Sequence, residues 1–286
     1  MKNLHPSDQT SPDPAADTPL ISGFSFARNT AKLGYPVVES IQSVLPICDE
    51  FVIALGKGDD DDTTREQILS MNSPKVKIIG TEWKNAARLR GAIYIQQTNL
   101  AKEHCRGKWC LYLQADEVIH ERYHETITEA CRHFAGDLRV DGFLFNYKHF
   151  WGDYDHYLVN HRWYPREIRL VRNIPAITSA QDATSFLYTN GKKVKVVQLP
   201  AEIFHYGHVR DPRTAKTRIN RVDRFFRGEE NAQPSEEAEY EPLDYGSLEK
   251  LPRYTGTHPK VMQKHVDAIN WKHLLQYSGK PEQSST

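Results

Sequence analysis

The feature of the sequence that most constrains the fold is an alternation of short apolar runs with longer amphipathic segments over residues 20–136. Segments of helical length separate four apolar runs, which are 20–28, 50–58, 76–83 and 108–116. Short apolar strands joined by amphipathic helices are typical of an open sheet built from β/α units. The last run stays apolar until Gln114, as expected for a parallel strand that is buried on both faces.

The pattern changes after residue 136, where strand-like segments follow one another with little helix between them. A helix rich in basic residues is predicted over 212–230, and the chain from 231 begins with a polar, acidic segment. We therefore predict a disordered lead-in, a β/α half and a mixed, β-rich half of one domain, and a C-terminal extension. In order, these parts are 1–19, 20–136, 137–230 and 231–286.

The composition argues against a nucleic-acid-binding protein and against a membrane-spanning one. Lys and Arg number 37, as do Asp and Glu, so no basic excess favours nucleic acid. No apolar run approaches the roughly 20 residues that a membrane-spanning helix needs, and the N-terminus lacks the apolar centre of a signal peptide. We expect a cytoplasmic protein, with peripheral contact at the inner membrane left open. Its four cysteines are predicted to be reduced, partly buried thiols.

Charged residues follow three of the four predicted strands of the first half. Arg28 ends the first strand, the acidic block Asp59–Asp62 follows the second, and Asp116 closes the fourth. Ligands of open α/β sheets bind at the carboxyl ends of the strands. We therefore expect these side chains to meet at one crevice.

These strand ends, in this order, resemble those of the bacterial inverting glycosyltransferases of family 2, which have the GT-A fold. The resemblance covers roughly residues 20–230. Its motifs are ISGFSFARN, GKGDDDDTT, NAARLRG, LYLQADEV and EIFHYGHVRDP. It implies an α/β fold with a Rossmann-like nucleotide-binding half over 20–136, a mixed central sheet, helices on both faces, and a β-rich acceptor half over 137–230.

The resemblance implies transfer of a sugar from a nucleotide-diphosphate donor to a saccharide or lipid-linked acceptor, with inversion, in cell-surface polysaccharide synthesis. It also assigns donor-binding residues, which are Ser25, Arg28, Asp59, Asp62, Arg88, Gln114, Arg210 and Lys216. Gln114 stands where the family has the first aspartate of its Asp-x-Asp motif, and its amide is expected to contact the ribose.

A divalent metal ion is the cofactor that the resemblance implies. Asp116 matches the last aspartate of the motif and is the expected ligand of Mg²⁺ or Mn²⁺, which would neutralise the diphosphate leaving group. His205, in the strand-like segment EIFHYGHV, is the expected second ligand.

Inversion requires a general base that takes the proton of the acceptor hydroxyl. Asp182 lies in ITSAQDATSFLY, the acidic loop that stands in the family's order for this role, and is the predicted base. The segment 149–164 is unusually aromatic. Part of it suits a core, and Trp151 or Trp163 could also stack against a sugar face.

A catalytically weakened relative that binds nucleotide sugars or acts as a scaffold is the first alternative function. Two features favour it. Gln114 replaces a carboxylate, and Lys57 and Gly58 stand where many relatives have the aspartates that hold the base.

The second alternative is a zinc hydrolase, because HERYH at residues 120–124 matches the H-E-x-x-H pattern. Zinc binding would need both histidines on one face inside a helix. His120 falls instead at the predicted start of the helix, whose apolar stripe already explains it as a cover for the sheet. A capping or solvated role for these histidines is therefore preferred.

Overall fold

The computed structural model describes residues 19–83, 91–159, 163–215 and 242–275. Nearly all of the predicted lead-in, most of the predicted basic helix and both ends of the C-terminal extension lie outside these ranges.

The first half alternates strands and helices as its sequence predicts. Its elements are β1 (Ile21–Ala27), α1 (Val37–Val44), β2 (Glu50–Gly56), α2 (Thr64–Ser70), β3 (Val76–Thr81), α3 (Ala92–Glu103), β4 (Trp109–Tyr112), β5 (Glu117–Ile119) and α4 (His124–His133). The second half consists mainly of strands. Its elements are β6 (Gly142–Gly152), β7 (Tyr157–Leu158), β8 (Arg166–Arg172), β9 (Ile177–Ala180), β10 (Ser185–Tyr188) and β11 (Val196–Val209). The C-terminal extension contains the short helix α5 (Gln263–Asp267).

One large mixed sheet organises the described part of the chain, with the strand order β3-β2-β1-β4-β8-β6-β11-β5 and with β7 paired to β6. The strands β3, β2, β1 and β4 are parallel, as β/α units require. Beyond β4 the directions are mixed, because β8 is antiparallel to both β4 and β6, whereas β11 is parallel to β6. Strands β9 and β10 form a separate hairpin. The predicted α/β fold with a mixed central sheet is confirmed.

Both faces of the parallel strands are buried, with side chains alternating between two cores. On β2, Phe51 and Ile53 belong to the core beneath α1, α2 and α4. Val52 and Ala54, which alternate with them, belong to the core beneath α3 and the β9–β10 hairpin. The predicted placement of helices on both faces is therefore correct.

The C-terminal extension packs against the second half of the sheet. Met262 is buried in a cluster with residues of β6 and β11. The indole of Trp271 donates to the carbonyl of Gly152 (3.0 Å), and that of Trp151 donates to the carbonyl of Tyr245 (3.0 Å). Residues 242–275 are therefore part of the folded body.

Two further expectations concern membranes and thiols. No helix in the described residues has the length and apolar character needed to cross a bilayer. All four cysteines are free thiols, as predicted, and all four are buried.

The packing of β1 against β2 generates a stability prediction. A Cβ added at Gly23, in the central strand β1, would lie 2.9 Å from Cε2 of the buried Phe51 ring and 3.1 Å from the Cys48 sulfur. We expect Gly23→Ala to lower the free energy of unfolding by about 1–3 kcal/mol through overpacking, measured by urea denaturation. Gly80→Ala is the matched control, because nothing lies within 4 Å of a Cβ at that strand position. Equal unfolding free energies for the two variants would contradict the prediction.

Candidate functional site

A buried ion pair supports the turn that follows β4. Arg169 of β8 donates from Nε and Nη2 to the two carboxylate oxygens of Glu117, at 2.8 and 2.7 Å, and both side chains are fully buried. The Tyr147 hydroxyl and the backbone N–H of Gln114 donate to the same carboxylate at 2.8 and 3.0 Å. The bidentate ion pair and these two hydrogen bonds replace the water contacts that the Glu117 carboxylate loses on burial. The turn carrying Gln114 and Asp116 is therefore fixed to the middle of the sheet.

The guanidinium of Arg169 also holds the loop between β9 and β10, because it donates to the carbonyl of Thr184 at 2.6 Å. Burial alone would lower the pKa of Arg169, but the Glu117 carboxylate outweighs it and holds that pKa well above its usual value. Arg169 therefore stays charged, and the pair connects the turn after β4, strand β8 and this loop.

Three consecutive residues in that loop have left-handed backbone conformations. Gln181, Asp182 and Ala183 have φ values of 52, 58 and 63°. Such conformations cost roughly 1–2 kcal/mol per non-glycine residue. Gln114 helps to hold them, since its side-chain Nε2 donates to the carbonyl of Ala183 at 3.3 Å. An aspartate at position 114 would have no N–H to donate, which gives a physical reason for the amide there.

The predicted base, Asp182, is exposed on this loop. Its carboxylate lies against the Cα of Gly91, the residue that precedes α3, in space that a side chain at Gly91 would occupy. Strained backbone kept in place by neighbouring side chains is a common property of functional sites. Asp182 directly precedes Ala183, whose carbonyl accepts the hydrogen bond from Gln114. The side chain of Gln114 thus helps to hold the backbone that carries Asp182.

The two predicted metal ligands lie together. Strand β5 pairs with β11 so that His205 is opposite Glu117, which brings Nε2 of His205 to 3.5 Å from Oδ2 of Asp116. Gly207 leaves the space beside them open. A Cβ there would lie 2.5 Å from the Asp116 oxygen and 2.9 Å from the His205 nitrogen.

These residues fit a divalent cation that completes its shell with other ligands. Two ligand atoms each about 2.1 Å from one ion, at right angles, lie about 3 Å apart, close to the observed separation of Asp116 and His205. Across residues 19–83, 91–159, 163–215 and 242–275, no three His, Cys, Asp or Glu side chains form a metal-binding group. Phosphate oxygens and water would supply the remaining ligands.

A second histidine lies behind His205. Strand β6 pairs in parallel with β11 so that His149 is opposite His205, and their Nδ1 atoms are 3.1 Å apart. Nε2 of His149 is 2.8 Å from the carbonyl oxygen of Tyr164. Burial, reinforced by His205, lowers the pKa of His149 to about 4. His149 is therefore neutral near pH 7.

The predicted donor-binding residues at the ends of β1 and β2 are also close together. Arg28 donates from Nε to the carbonyl of Lys57 at 2.8 Å and approaches the Asp59 carboxylate at 3.4 Å. Its guanidinium also lies 5.7 Å from the centre of the Trp83 ring. Ser25 is buried, and its hydroxyl donates to the carbonyl of Leu113 at 2.6 Å.

The acidic block is tied to the loop after β1. Lys32 contacts the carboxylates of Asp59 and Asp61 at 2.9 and 2.6 Å. Hydrogen bonds lower the pKa of Asp59, and the one from Lys32 has a larger effect than the one with Asn29. Asp62 accepts from the Lys32 backbone N–H (3.1 Å) and from the hydroxyl of Thr64 (2.9 Å), at the start of α2. The Asp62 carboxylate therefore orders local backbone.

Arg210 is a further predicted donor-binding residue that contacts the loop after β1. Arg210 donates from its guanidinium to the carbonyls of Leu33 and Gly34, and so ties the end of β11 to the loop after β1. Arg88 and Lys216 lie outside the described residues.

The histidines of HERYH make separate structural hydrogen bonds. The ring of His120 accepts from the backbone N–H of Arg122 and so caps a short 3-10 turn, while its Nε2 lies 3.0 Å from the hydroxyl of Thr257. Nε2 of His124, at the start of α4, donates to the carbonyl of Ser43 at 2.7 Å. The capping role is confirmed for His120, which is buried rather than solvated.

Three structurally important residues, Glu117, Arg169 and His149, were not predicted from the sequence. A signal existed for Arg169, which stands between Ile168 and Leu170 in a predicted strand, since a charge that a strand buries needs a partner. His149 lies in the aromatic segment with no such signal.

The ion pair generates a second stability prediction. We expect Arg169→Met to lower the free energy of unfolding by roughly 3–5 kcal/mol, because it leaves the Glu117 carboxylate buried without a counter-charge. Adding Glu117→Gln should restore part of that loss, with a coupling free energy of roughly 0.5–3 kcal/mol between the substitutions. Urea denaturation measures both. A loss below about 1 kcal/mol for the single variant would show that the pair is not needed.

The Gln114 amide generates a prediction about the loop. In Gln114→Glu, a carboxylate oxygen replaces Nε2 and faces the carbonyl of Ala183, which should cost about 1–3 kcal/mol locally. Amide hydrogen exchange over residues 181–185 should then be roughly tenfold faster or more. Gln67→Glu on the exposed surface of α2 makes the same charge change away from the loop, and should leave this exchange unaltered. Identical exchange in both variants would disprove the role of the amide.

Comparisons with known proteins complete the description of the site. No protein-family model matches the sequence, and no curated protein does. Among solved structures, the chain is similar to TarS from S. aureus, with 16% identity, 77% of this chain and 41% of that chain covered, and a TM-score of 0.41. It thus spans less than half the length of that protein.

Two further similarities are to a mannosyltransferase and a synthase. The mannosyltransferase PcManGT from Pyrobaculum calidifontis, in complex with GDP-Man and Mn²⁺, has 11% identity, coverages of 76% and 66%, and a TM-score of 0.44. Glucosyl-3-phosphoglycerate synthase from Mycobacterium tuberculosis has 12% identity, coverages of 48% and 44%, and a TM-score of 0.31. Since these TM-scores are below 0.5, the fold assignment rests on the strand order and register described above.

Proposed function

We propose that the protein is an inverting, bacterial-type family 2 glycosyltransferase that moves a sugar from a nucleotide-diphosphate donor to a hydroxyl of a saccharide or lipid-linked acceptor. The observation that carries the proposal is the Asp116–His205 pair with the space left open by Gly207. It lies beside the turn that follows β4, where ligands of open α/β sheets bind. Cell-surface polysaccharide synthesis in the cytoplasm, with peripheral contact at the inner membrane, is the setting that goes with this proposal.

On the donor side, Asp116 and His205 would hold Mg²⁺ or Mn²⁺, whose charge would stabilise the leaving diphosphate. Arg28 and Asp59, at the ends of β1 and β2, are proposed to contact the nucleotide, together with Ser25, Asp62, Arg88, Gln114, Arg210 and Lys216. Since the side chains of Ser25 and Asp62 already bond within the fold, these two act mainly by positioning the backbone around the donor.

On the acceptor side, Asp182 takes the proton of the attacking hydroxyl. The hydroxyl oxygen bonds to the anomeric carbon from the face opposite the diphosphate, the carbon–oxygen bond to the diphosphate breaks, and the configuration inverts. Trp151 and Trp163, whose ring centres are 5.9 Å apart, lie beside the proposed metal ligands, with Trp163 at 6.4 Å from the His205 ring. Aromatic faces of this kind suit a saccharide.

A second candidate function is a nucleotide-sugar-binding protein with little or no turnover. It is favoured by the use of Gln114, whose amide supports a loop at the position where the family has a carboxylate. It differs from the first proposal in one respect, since the donor would bind but no sugar would be transferred.

Donor binding tests the proposal first. We expect UDP-, GDP- or dTDP-sugars, beginning with UDP-GlcNAc and GDP-mannose, to raise the thermal midpoint in the presence of Mn²⁺, because a ligand stabilises the state it binds. Asp116→Asn should abolish the Mn²⁺-dependent part of this shift. Asp267→Asn, on the exposed surface of α5, is the matched control and should behave as the wild type. If no nucleotide sugar shifts the midpoint with or without Mn²⁺, both candidate functions fail.

Turnover of the stabilising donor then separates the two candidates. With saccharide acceptors, Asp182→Asn should lower kcat by roughly 10²–10⁴-fold and leave the donor KM nearly unchanged, as expected for loss of a general base. Donor stabilisation without any transfer would favour the binding protein.

A further inference from the structure

The end of the large sheet opposite the candidate site carries many exposed cations. Parallel pairing aligns the starts of β3, β2, β1 and β4 at this end, and the last residue of β8, Arg172, lies opposite Trp109 at the start of β4. Strands β6 and β11 also start here, with Val196 opposite Gly142. We call five exposed side chains at this end the basic surface, and they are Lys108, Arg132, Lys192, Lys193 and Lys195.

Backbone hydrogen bonds join the strand ends into one continuous surface. The N–H of Asn173 donates to the carbonyl of Lys108 at 2.9 Å, and that of Arg172 donates to the carbonyl of Asp141 at 2.7 Å. The N–H of Asp141 donates in turn to the carbonyl of Lys195 at 2.7 Å. Lys108 and Lys195 are therefore three strand spacings apart, about 15 Å. Cations this close are separated by no more than about two Debye lengths at physiological salt, so their fields add.

Helix α4 brings Arg132 and an exposed leucine to the same surface. The Arg172 guanidinium donates to the carbonyls of Phe134 and Ala135, just after α4, at 3.0 Å each. The turn that follows carries Leu138, which is 79% exposed, the highest value for a large apolar side chain in the described residues. An apolar side chain therefore lies in solvent beside the cations.

Two of the carboxylates near the basic surface are paired with other cations. The buried Glu50 carboxylate contacts Lys77 at 2.5 Å and Arg106 at 3.0 Å. Asp137 contacts the guanidinium of Arg139 at 2.8 Å. These acidic groups are thus neutralised without the five cations of the basic surface.

The cations of the basic surface are not neutralised in the same way. Within the described ranges, no carboxylate lies at ion-pair distance from any of the five. Asp49 and Glu103 are exposed carboxylates at this end, and the five cations outnumber them. The basic surface therefore carries a positive potential that attracts anionic partners, although the chain as a whole has equal numbers of acidic and basic side chains.

We propose that the basic surface and Leu138 form a docking site for an anionic lipid bilayer. Each Lys or Arg near an anionic membrane strengthens binding roughly fivefold, and an apolar side chain that enters the headgroup region adds to it. Single-stranded nucleic acids are bound on exposed aromatic rings, whereas Trp109 and Phe134 at this end are buried and half-buried. The inference rests on the proposed function for the choice of a membrane as the setting, and the surface itself does not depend on it.

This docking sets the orientation of the candidate site. Strand β1 has seven residues, so Arg28 lies about 20 Å from the basic end of the sheet. The site then faces away from the bilayer. An acceptor hydroxyl at the far end of a saccharide chain fits this orientation better than a hydroxyl in a lipid headgroup.

Vesicle flotation of the full chain tests the docking surface. At about 0.1 M salt, we expect binding to vesicles of phosphatidylglycerol and phosphatidylcholine in equal parts and no binding to phosphatidylcholine alone, with the binding weakened by added salt. Combined Lys192→Gln, Lys193→Gln and Lys195→Gln should weaken it roughly 100-fold. The matched control combines Lys250→Gln, Lys260→Gln and Lys264→Gln, exposed cations of the C-terminal extension, and should bind as the wild type.

Leu138→Asn distinguishes a lipid surface from a soluble polyanion. It should weaken vesicle binding roughly tenfold, because the leucine leaves water only in a bilayer, and should leave retention on a heparin column unchanged. Vesicle binding that is absent, or that is equal in the two triple variants, overturns the inference. Vesicle binding that Leu138→Asn leaves unaltered also overturns it and assigns the surface to a soluble polyanion.

The same experiment separates this inference from the proposed function. Stabilisation by nucleotide sugars without vesicle binding would overturn the docking surface alone. Vesicle binding that depends on the three lysines and on Leu138, without stabilisation by any nucleotide sugar, would overturn the proposed transfer and leave the docking surface intact.

Discussion

The buried Glu117–Arg169 pair is the interaction on which the arrangement of the site depends. A buried ion pair contributes little net stability, because desolvation offsets most of the attraction between the charges. Its importance here is positional. The Glu117 carboxylate holds the turn after β4 through the N–H of Gln114, and the guanidinium holds the strained loop through the carbonyl of Thr184. The proposed donor and acceptor sides of the site are thus connected through two side chains that water does not reach.

Strand register arranges the rest of the site. The pairing of β5 with β11 brings His205 beside Asp116, and the pairing of β6 with β11 brings His149 behind His205. Gln114 has a separate role, since its amide supports Ala183 where a carboxylate could only accept hydrogen bonds. The proposed metal-binding role therefore rests on Asp116 and His205, which lie side by side.

Much of the first half could be predicted because its signals are local. The alternation of apolar runs predicts the strands, and the polar residues at their ends predict that Arg28, Asp59 and Asp116 lie along one edge of the sheet, as the parallel pairing of β2, β1 and β4 places them. The H-E-x-x-H match is also local, but a pattern of four residues says nothing of what surrounds it. In the structure, His120 and His124 bond to Thr257 and Ser43, which lie in different parts of the chain.

Local sequence patterns predict the strands β1 to β4 and the polar residues at their ends, because periodicity and strand-end chemistry are properties of neighbouring residues. The contacts of Glu117 with Arg169 and of His149 with His205 emerge only in the folded chain, since these partners are 52 and 56 residues apart. Their contact depends on the strand order β4-β8-β6-β11-β5. That order is set by which strands can pair and pack together, and no local pattern of residues specifies it.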